Sequence, residues 1–415
     1  MKNILIQTEN KNQNNFNNSL EEILQKGARK MLQLAIENEV EEFIEQLKNK
    51  KDDKGHRRIV RNGYLPEREI QTGIGKMFIK KPRVKDKVNE ISFSSTILPR
   101  YMRRTPSIDA LIPALYLKGI STNNFPEALT AILGDGAKGL SSTNIVRLKS
   151  FWEEEYKYWL KRDLSDKDYV YIWADGIYFN IRLDKDRPCI LVIMGATKEG
   201  KKELIAVHDG FRESTLSWKE VILDLKRRGF SKSPLLAVGD GALGFWKALE
   251  EEFPKTKKQK CWVHKTANIL DKMPKRVQPY AKSLIHAMYK STTKKEALSV
   301  YNTFLKLYSE RYERACKCLV KDFDNIFTFY DFPMQHWQHI RSTNVIESTF
   351  ATIRHRTRQT KGCGSRTATL SMVYKLAKSA EKCWLRLKGY NLIEKMIQGI
   401  TFKDGEEIII EEKTA

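Results

Sequence analysis

The chain has 415 residues, 41% of them hydrophobic and 8 of them Trp, which excludes a disordered polymer and leaves room for two or three domains. Its 74 Lys and Arg against 51 Asp and Glu give a net charge of +23, which points to a polyanionic partner, nucleic acid ahead of a membrane surface. No apolar run approaches the ~18 residues of a spanning helix, the polar, Asn-rich start lacks the regions of a signal peptide, and six scattered cysteines read as reduced thiols, so a cytoplasmic protein is expected.

Residues 1–53 read as a flexible tail to about Asn18, then a helix opened by the capping-box pattern Ser19-Leu20-Glu21-Glu22. Its apolar stripe includes Leu20, Leu24, Met31, Leu34, Val40 and Leu47, and either this chain or a second copy would cover it. Residues 54–104 hold 14 Lys and Arg against 4 acids. Arg68–Thr72 and Lys76–Lys80 flank Gly73-Ile74-Gly75 and read as a basic β-hairpin, suited to phosphate contact or merely solvated. Residues 105–165 read as three helices, Ser107–Lys118, Thr122–Leu133 and Ser141–Arg162, in a helix-turn-helix-like pattern shared with many all-α domains.

Residues 166–275 are the α/β section. Tyr169 to Ile181 is a β-branched and aromatic strand with Asp175 in its middle, in phase with Trp173 and Ile177. Strands follow at Cys189–Met194 and Glu203–His208, then a helix at Ser217–Arg228 and a fourth strand at Leu235–Val238. Asp240 closes that strand, a helix covers Leu243–Phe253, and a short fifth strand at Lys260–Val263 leads into a helix near Thr266–Lys272. The order βββαβαβα fits a ribonuclease-H-like layout, with the fourth strand beside the first and Asp240 near Asp175. Residues 276–335 read as a helical insertion. Residues 336–400 return to the core with basic helices, 11 Lys and Arg against 2 Glu over residues 341–388, and 401–415 read as an acidic tail.

A buried lone carboxylate costs several kcal/mol unless paired, protonated or bound to metal. Asp175 is therefore either a structural salt-bridge partner or a metal ligand. Two carboxylates at adjacent strand ends make half a site for Mg2+ or Mn2+, which prefer oxygen. A pair of such ions about 3.5–4 Å apart activates a nucleophile and stabilises the leaving oxygen of a phosphodiester. Candidates for a third acid are Glu250, Glu251, Glu252, Asp322, Asp324, Asp331 and Glu347. Glu347 leads because Arg354 and Arg358 follow it on one helix face, where they would extend a phosphate-gripping surface. Candidate DNA contacts are Arg61, Lys80, Lys81, Arg83, Arg103 and Arg104 in the hairpin region, and Arg147 and Lys149 in the helical one. Around the third acid they are His264, Trp337, Arg341, Arg354, Arg356 and Arg358. Trp337 would stack on a base or fill the core. Cys261 and His264 are half of a zinc set with no second pair. They read as a packed thiol with a hydrogen-bonding imidazole, or as a His near the scissile phosphate.

Several stretches together resemble the Mutator family of DDE transposases from bacterial insertion sequences. They include Arg61-Asn62-Gly63-Tyr64, Leu98-Pro99-Arg100-Tyr101-Met102-Arg103-Arg104, Asp175-Gly176-Ile177-Tyr178, Gly239-Asp240-Gly241-Ala242-Leu243-Gly244, Gln259-Lys260-Cys261-Trp262-Val263-His264 and Ser342-Thr343-Asn344-Val345-Ile346-Glu347-Ser348. The resemblance implies a catalytic triad of Asp175, Asp240 and Glu347, two Mg2+ or Mn2+ ions, and a helical insertion between the last two acids. It further implies metal-dependent cleavage and strand transfer at terminal inverted repeats of double-stranded DNA, by a homodimer in the synaptic complex, and excision through a circular intermediate. Ser348 departs from the Arg expected there. The alternative is a catalytically silent DNA-binding protein derived from a transposase; a third reading is another ribonuclease-H-like nuclease.

Overall fold

The computed structural model describes residues 2–118, 120, 127–128, 131, 142–179, 189–210, 212–241, 244–359 and 365–408, with backbone alone at 2–19, 21, 109–110, 112, 116, 142–147 and 357–359. The expected helix Thr122–Leu133 falls almost wholly outside them, as do the side chains of Arg147 and Arg358. The chain divides into two compact units, Met1–Val146 and Arg147–Ala415.

In the first unit, helix α1 runs from Lys2 to Gln46. The expected tail is therefore corrected to helix, and Ser19 lies inside it rather than at its cap. No Gly or Pro interrupts residues 2–26, and Asn costs a helix only a few tenths of a kcal/mol. Four strands follow: β1 (Ile59–Tyr64), β2 (Arg68–Thr72), β3 (Gly75–Ile79) and β4 (Pro82–Asp86). β2 and β3 form the expected hairpin, with Arg68 opposite Ile79, and β1 pairs antiparallel with β4. Ile36 of α1 is buried with Ile70, Met77, Ile79 and Leu98, and Ala28 and Leu32 pack against that cluster. Gln25 and Gln33 donate to the Lys76 and Lys80 carbonyls at 2.7 Å, satisfying backbone that apolar packing would leave unpaired. A second face of α1 stays uncovered: Leu20, Ile23, Leu24, Met31 and Leu34 are exposed.

The second unit is built on a five-stranded mixed sheet. Its strands are β5 (Tyr169–Tyr178), β6 (Cys189–Thr197), β7 (Lys202–Gly210), β8 (Leu236–Gly239) and β9 (Lys257–Lys260), in spatial order β7-β6-β5-β8-β9. β5, β6 and β7 are antiparallel; β8 and β9 join parallel to β5. β9 corrects the expected fifth strand at Lys260–Val263, since Trp262 already begins a helix (Trp262–Leu270). Lys257-Lys258-Gln259-Lys260 has no β-branched residue, so only its backbone pairing with β8 makes it a strand.

Alternation along β5 assigns its two faces. Helices α2 (Pro106–Leu117) and α3 (Ser142–Leu160) precede β5 in the chain. Ile172 and Ala174 join Trp218, Phe245 and Leu249 in one core, beneath helices α4 (Thr215–Arg227) and α5 (Phe245–Glu252). Tyr171, Trp173 and Asp175 face the other way. There the Trp173 indole donates to the His339 carbonyl at 2.9 Å, and Tyr171 meets the His336 ring at 2.7 Å. Since His336 Nε2 lies 2.9 Å from the Gly389 carbonyl, which only accepts, Nδ1 is the acceptor and the Tyr171 hydroxyl donates.

Between the helix Trp262–Leu270 and the helix at Asn344–Gln359 lie three helices of eight residues or more, Gln278–Lys290, Lys294–Tyr308 and Glu313–Val320. The expected acidic surface tail is corrected in part: Phe402 is buried, Phe402–Lys403 pairs with Glu406–Glu407, and Met334 donates its amide to the Gly405 carbonyl. Residues 409–415 lie outside the described residues. Gln259, fully buried, ties β9 to this helical layer: its amide donates to the Ile326 carbonyl at 3.0 Å and accepts from the Phe329 amide at 2.8 Å. Gln259→Leu orphans that amide in the core. We expect a loss of about 2–3 kcal/mol in denaturant-induced unfolding; a loss below about 0.5 kcal/mol contradicts the tie.

Candidate active site

β5 and β8 run parallel with Ala174 opposite Gly239, so the next residues in each chain, Asp175 and Asp240, project from neighbouring strands. Asp175 is only 6% exposed. One of its oxygens accepts the Gly176 amide at 2.8 Å, and no lysine or arginine pairs with it among the described residues. Burial, reinforced by Glu213 and Glu347, pushes its carboxyl up to about 7, against the pull of His264 and the Gly176 amide. Asp240 is half-buried; its side chain accepts the Gly241 amide, and its carbonyl accepts the Trp246 indole at 2.6 Å.

Glu347 sits in the first turn of the Asn344–Gln359 helix. Thr343, just outside the helix, organises it. Its hydroxyl donates to Glu347 Oε1 at 2.8 Å, and its amide donates to Cys261 Sγ at 3.3 Å. The hydroxyl also lies 3.2 Å from Cys261 Sγ, but it has one proton and the carboxylate is the stronger acceptor. Cys261 follows β9 in extended backbone and caps the next helix, whose first turn holds His264. His264 Nε2 is 3.8 Å from Glu347 Oε1. Cys261 beside it, together with Asp175 and Asp240, raises the imidazole to about 9 against the cost of burial, so it carries a proton at neutral pH.

Four acidic groups and one imidazolium therefore lie near enough to act on one another, the fourth acid being Glu213. The sequence does not single out Glu213, which follows β7 in a turn and belongs to no periodic pattern. Among the described residues, the ligand-type atoms that converge within 4.8 Å of one another are those of Cys261, His264 and Glu347. Asp175, Asp240 and Glu347 do not close to that distance; Glu347 turns to Thr343 and His264. A closed structural zinc site takes four protein ligands, and no fourth His, Cys, Asp or Glu atom joins Cys261, His264 and Glu347 among the described residues.

Most competitors for the third acid are committed elsewhere. Glu250 pairs with Lys258 at 2.8 Å, Glu251 with Lys219 at 2.6 Å, Glu252 with Lys226 at 2.8 Å and Asp331 with Lys257 at 3.3 Å. Asp322 forms a buried pair with Lys265, whose ammonium also donates to the Cys318 carbonyl.

The expected DNA contacts separate by burial. Lys80, Arg83 and Arg103 are exposed. Arg61 is exposed and engages Tyr64 and Glu37, Lys81 is half-buried over the Phe93 ring, and Arg104 and Lys149 are half-buried. Arg354 is exposed; Arg341 is half-buried and donates to the Tyr289 carbonyl. Two expectations are corrected. Trp337 is buried, donates to the Phe332 carbonyl and packs edge-on against Phe329 and Tyr330, so its ring is not offered to a base. Arg356 is 1% exposed, on the inward face of its helix with Ile353, so its guanidinium is not offered at the surface.

The family described as "Transposase, Mutator family" matches residues 1–386. The chain is 45% identical over 295 residues to the transposase for insertion sequence element IS6120 of Mycolicibacterium smegmatis, covering 71% of this chain and 91% of that protein. It is 44% identical over 279 residues to the transposase for IST2 of Acidithiobacillus ferrooxidans, covering 67% and 94%. To the transposase for IS256 in transposon Tn4001 of Staphylococcus aureus it is 28% identical over 326 residues, covering 77% and 80%.

Asp175 binds its proton more tightly in the folded protein than in the unfolded chain, whose carboxyl titrates near 4. Its contribution therefore turns unfavourable as pH rises from about 4 to about 7. In metal-free buffer, Asp175→Asn should be the more stable protein at pH 8, by roughly 3–4 kcal/mol. That advantage should shrink towards zero near pH 4. Urea titrations across this range test it; a difference that does not change with pH rules it out.

Proposed function

The chain belongs to the Mutator family of transposases, and from that we propose that it moves a bacterial insertion sequence by cutting DNA at the element's terminal inverted repeats and joining the freed ends to new DNA. The observation that carries this reading is the placement of Asp175 and Asp240 one residue beyond the Ala174–Gly239 register pair of adjacent strands, with Glu347 near enough to act on Asp175 and no lysine or arginine partner for Asp175 among the described residues. We take the order β7-β6-β5-β8-β9, with its helical insertion before Glu347, to be a ribonuclease-H-like core.

The donor set fits a hard divalent cation. Asp175 is buried without a lysine or arginine partner among the described residues, and it and Asp240 offer carboxylate oxygens, the ligand type that Mg2+ and Mn2+ prefer. Asp175, Asp240 and Glu347 would hold two such ions, which when bound supply Lewis acidity to the phosphodiester and to the attacking oxygen. The protein's own groups do the rest. The protonated His264 sets a positive charge beside Glu347, placed to meet a phosphate oxygen. Thr343 fixes the Glu347 carboxylate, and the Trp173 and Tyr171 hydrogen bonds fix the strand beneath it. Water breaks one phosphodiester and leaves a 3′-hydroxyl, which then displaces a second phosphodiester oxygen in line. No covalent enzyme intermediate is needed.

Asp175→Asn, Asp240→Asn and Glu347→Gln should each cut end cleavage and strand transfer in Mg2+ at least about 100-fold, while binding to repeat-bearing duplex persists. Full activity in any one removes that residue from the triad. Duplex binding by the unaltered protein without any Mg2+-dependent cleavage would favour a silent DNA-binding protein instead.

Bringing two element ends together calls for two copies of the chain. We assign their contact to the exposed face of α1, where Leu20, Leu24, Met31 and Leu34 recur at heptad-like spacing. The double substitution Leu24→Glu with Met31→Glu should convert a dimer to a monomer in light scattering; an unchanged mass defeats the assignment.

A further inference from the structure

We propose that Cys261, His264 and Glu347 form a Zn2+ site that competes with the catalytic triad for Glu347. The ligand set stands on its own geometry; its effect on catalysis rests on the metal-dependent reading above. A thiol, an imidazole and a carboxylate converge here, with one ligand atom from each within 4.8 Å of the other two. Ligand atoms around tetrahedral Zn2+ stand roughly 3.3–3.8 Å apart, since its bonds are about 2.0–2.3 Å long. His264 Nε2 and Glu347 Oε1 already lie 3.8 Å apart, so the set closes with side-chain shifts of roughly 1 Å.

Two helix starts present the ligands. Cys261 caps the Trp262–Leu270 helix and His264 follows three residues on, so both side chains fall on one face. Glu347 occupies the first turn of the Asn344–Gln359 helix. The Trp262 amide donates to the Arg341 carbonyl at 3.0 Å, and the Thr343 amide donates to Cys261 Sγ at 3.3 Å, which ties the two starts together. Ligands on elements fixed in this way need little reordering to receive an ion. Thr343 also supplies the outer hydrogen bonds that metal ligands ordinarily carry: its amide stabilises a thiolate at Cys261, and its hydroxyl orients the Glu347 carboxylate at 2.8 Å. Cys261 is buried, whereas His264 and Glu347 are half-buried, so an ion enters from the solvent side and water takes its fourth position.

The donor types choose the ion. Thiolate and imidazole suit Zn2+, whereas Mg2+ takes oxygen and keeps its waters. Ligation needs the thiolate and the neutral imidazole, so an entering Zn2+ displaces the protons those groups hold. Glu347 is the carboxylate that the two sets share. Zn2+ would hold it in the orientation it already has, turned to Cys261 and His264 and apart from Asp175 and Asp240. It would also remove the imidazolium charge that the cleavage reading sets beside the phosphate. Bound Zn2+ therefore makes a reversible off state of the same chain.

The test uses the full chain with Zn2+ or Co2+ alone, read by titration calorimetry and by the thiolate-to-cobalt charge-transfer band. One ion should bind per chain, and Co2+ should give that band. Loss of an outer partner alone weakens a metal site by about 10–100-fold, so Cys261→Ser, His264→Ala and Glu347→Gln should each weaken Zn2+ binding at least about 100-fold. Cys261→Ser should also abolish the band. His264→Ala, at a half-buried position, carries the test should Cys261→Ser fail to fold. Cys383→Ser, at an exposed cysteine, should change neither reading. Asp240→Asn, which removes an acid of the triad but no zinc ligand, should keep the band and bind Zn2+ within fivefold. In Mg2+-dependent cleavage of repeat ends, saturating Zn2+ should slow the unaltered protein at least tenfold, and a zinc chelator should restore it. Zn2+ bound equally well by folded His264→Ala and Glu347→Gln overturns the site. Zn2+ lost in those variants, with cleavage by the unaltered protein undiminished by Zn2+, overturns the competition. An unaltered protein that binds Zn2+ through these residues but never cleaves in Mg2+ sinks the metal-dependent reading and leaves the zinc site standing.

Discussion

The second unit depends on one pairing, the parallel register of β5 with β8. A parallel pair brings like ends of two strands together, so residues that follow Ala174 and Gly239 emerge side by side. Both are aspartates. The register is held by cores on both faces of β5: Ile172 and Ala174 beneath α4 and α5, Tyr171 and Trp173 bonded to the His336 and His339 segment. A slip of one residue would exchange those faces and bury the wrong side chains. Apolar packing on the sheet thereby determines where two charges stand.

Third-acid geometry has a different origin. Glu347 is held by no strand, and its position follows from Thr343, whose amide and hydroxyl bridge Cys261 at the end of β9 to the start of the Glu347 helix. The cysteine and histidine, half of a zinc pattern in isolation, form the polar seam between that helix and the sheet. The same seam leaves a protonated imidazole among carboxylates, an arrangement that lowers their mutual repulsion without ion-pairing them fully.

Lysine pairing explains why the neighbouring acids drop out. Five of the six competitors of Glu347 lie beside a lysine, four on or near the surface and Asp322 buried with Lys265. Surface pairs of this kind contribute at most about 1 kcal/mol each, so their meaning here is one of assignment rather than stability. Arg356 and Trp337 make the complementary point. A basic helix and an isolated aromatic suggest an interface, yet each of these side chains turns inward because the helix or turn that carries it has a core face.

Periodicity and turn chemistry alone determined the hairpin at Arg68–Thr72 and Gly75–Ile79, the strands around Asp175 and Asp240, and their antiparallel and parallel order. Those signals are local: alternation, β-branching and glycine placement act within a few residues. The same logic failed at Lys257–Lys260, a strand by virtue of its neighbour, and at Lys2–Asn18, where the absence of breakers outweighed a polar composition. Glu347 was readable from its helix and from family resemblance. Glu213 was not, because its position depends on two glycines more than 30 residues away in either direction and on a turn with no periodic signature. Only the tertiary structure decided which acids meet and which are neutralised, since charge pairing acts between residues that the chain keeps apart and packing brings together.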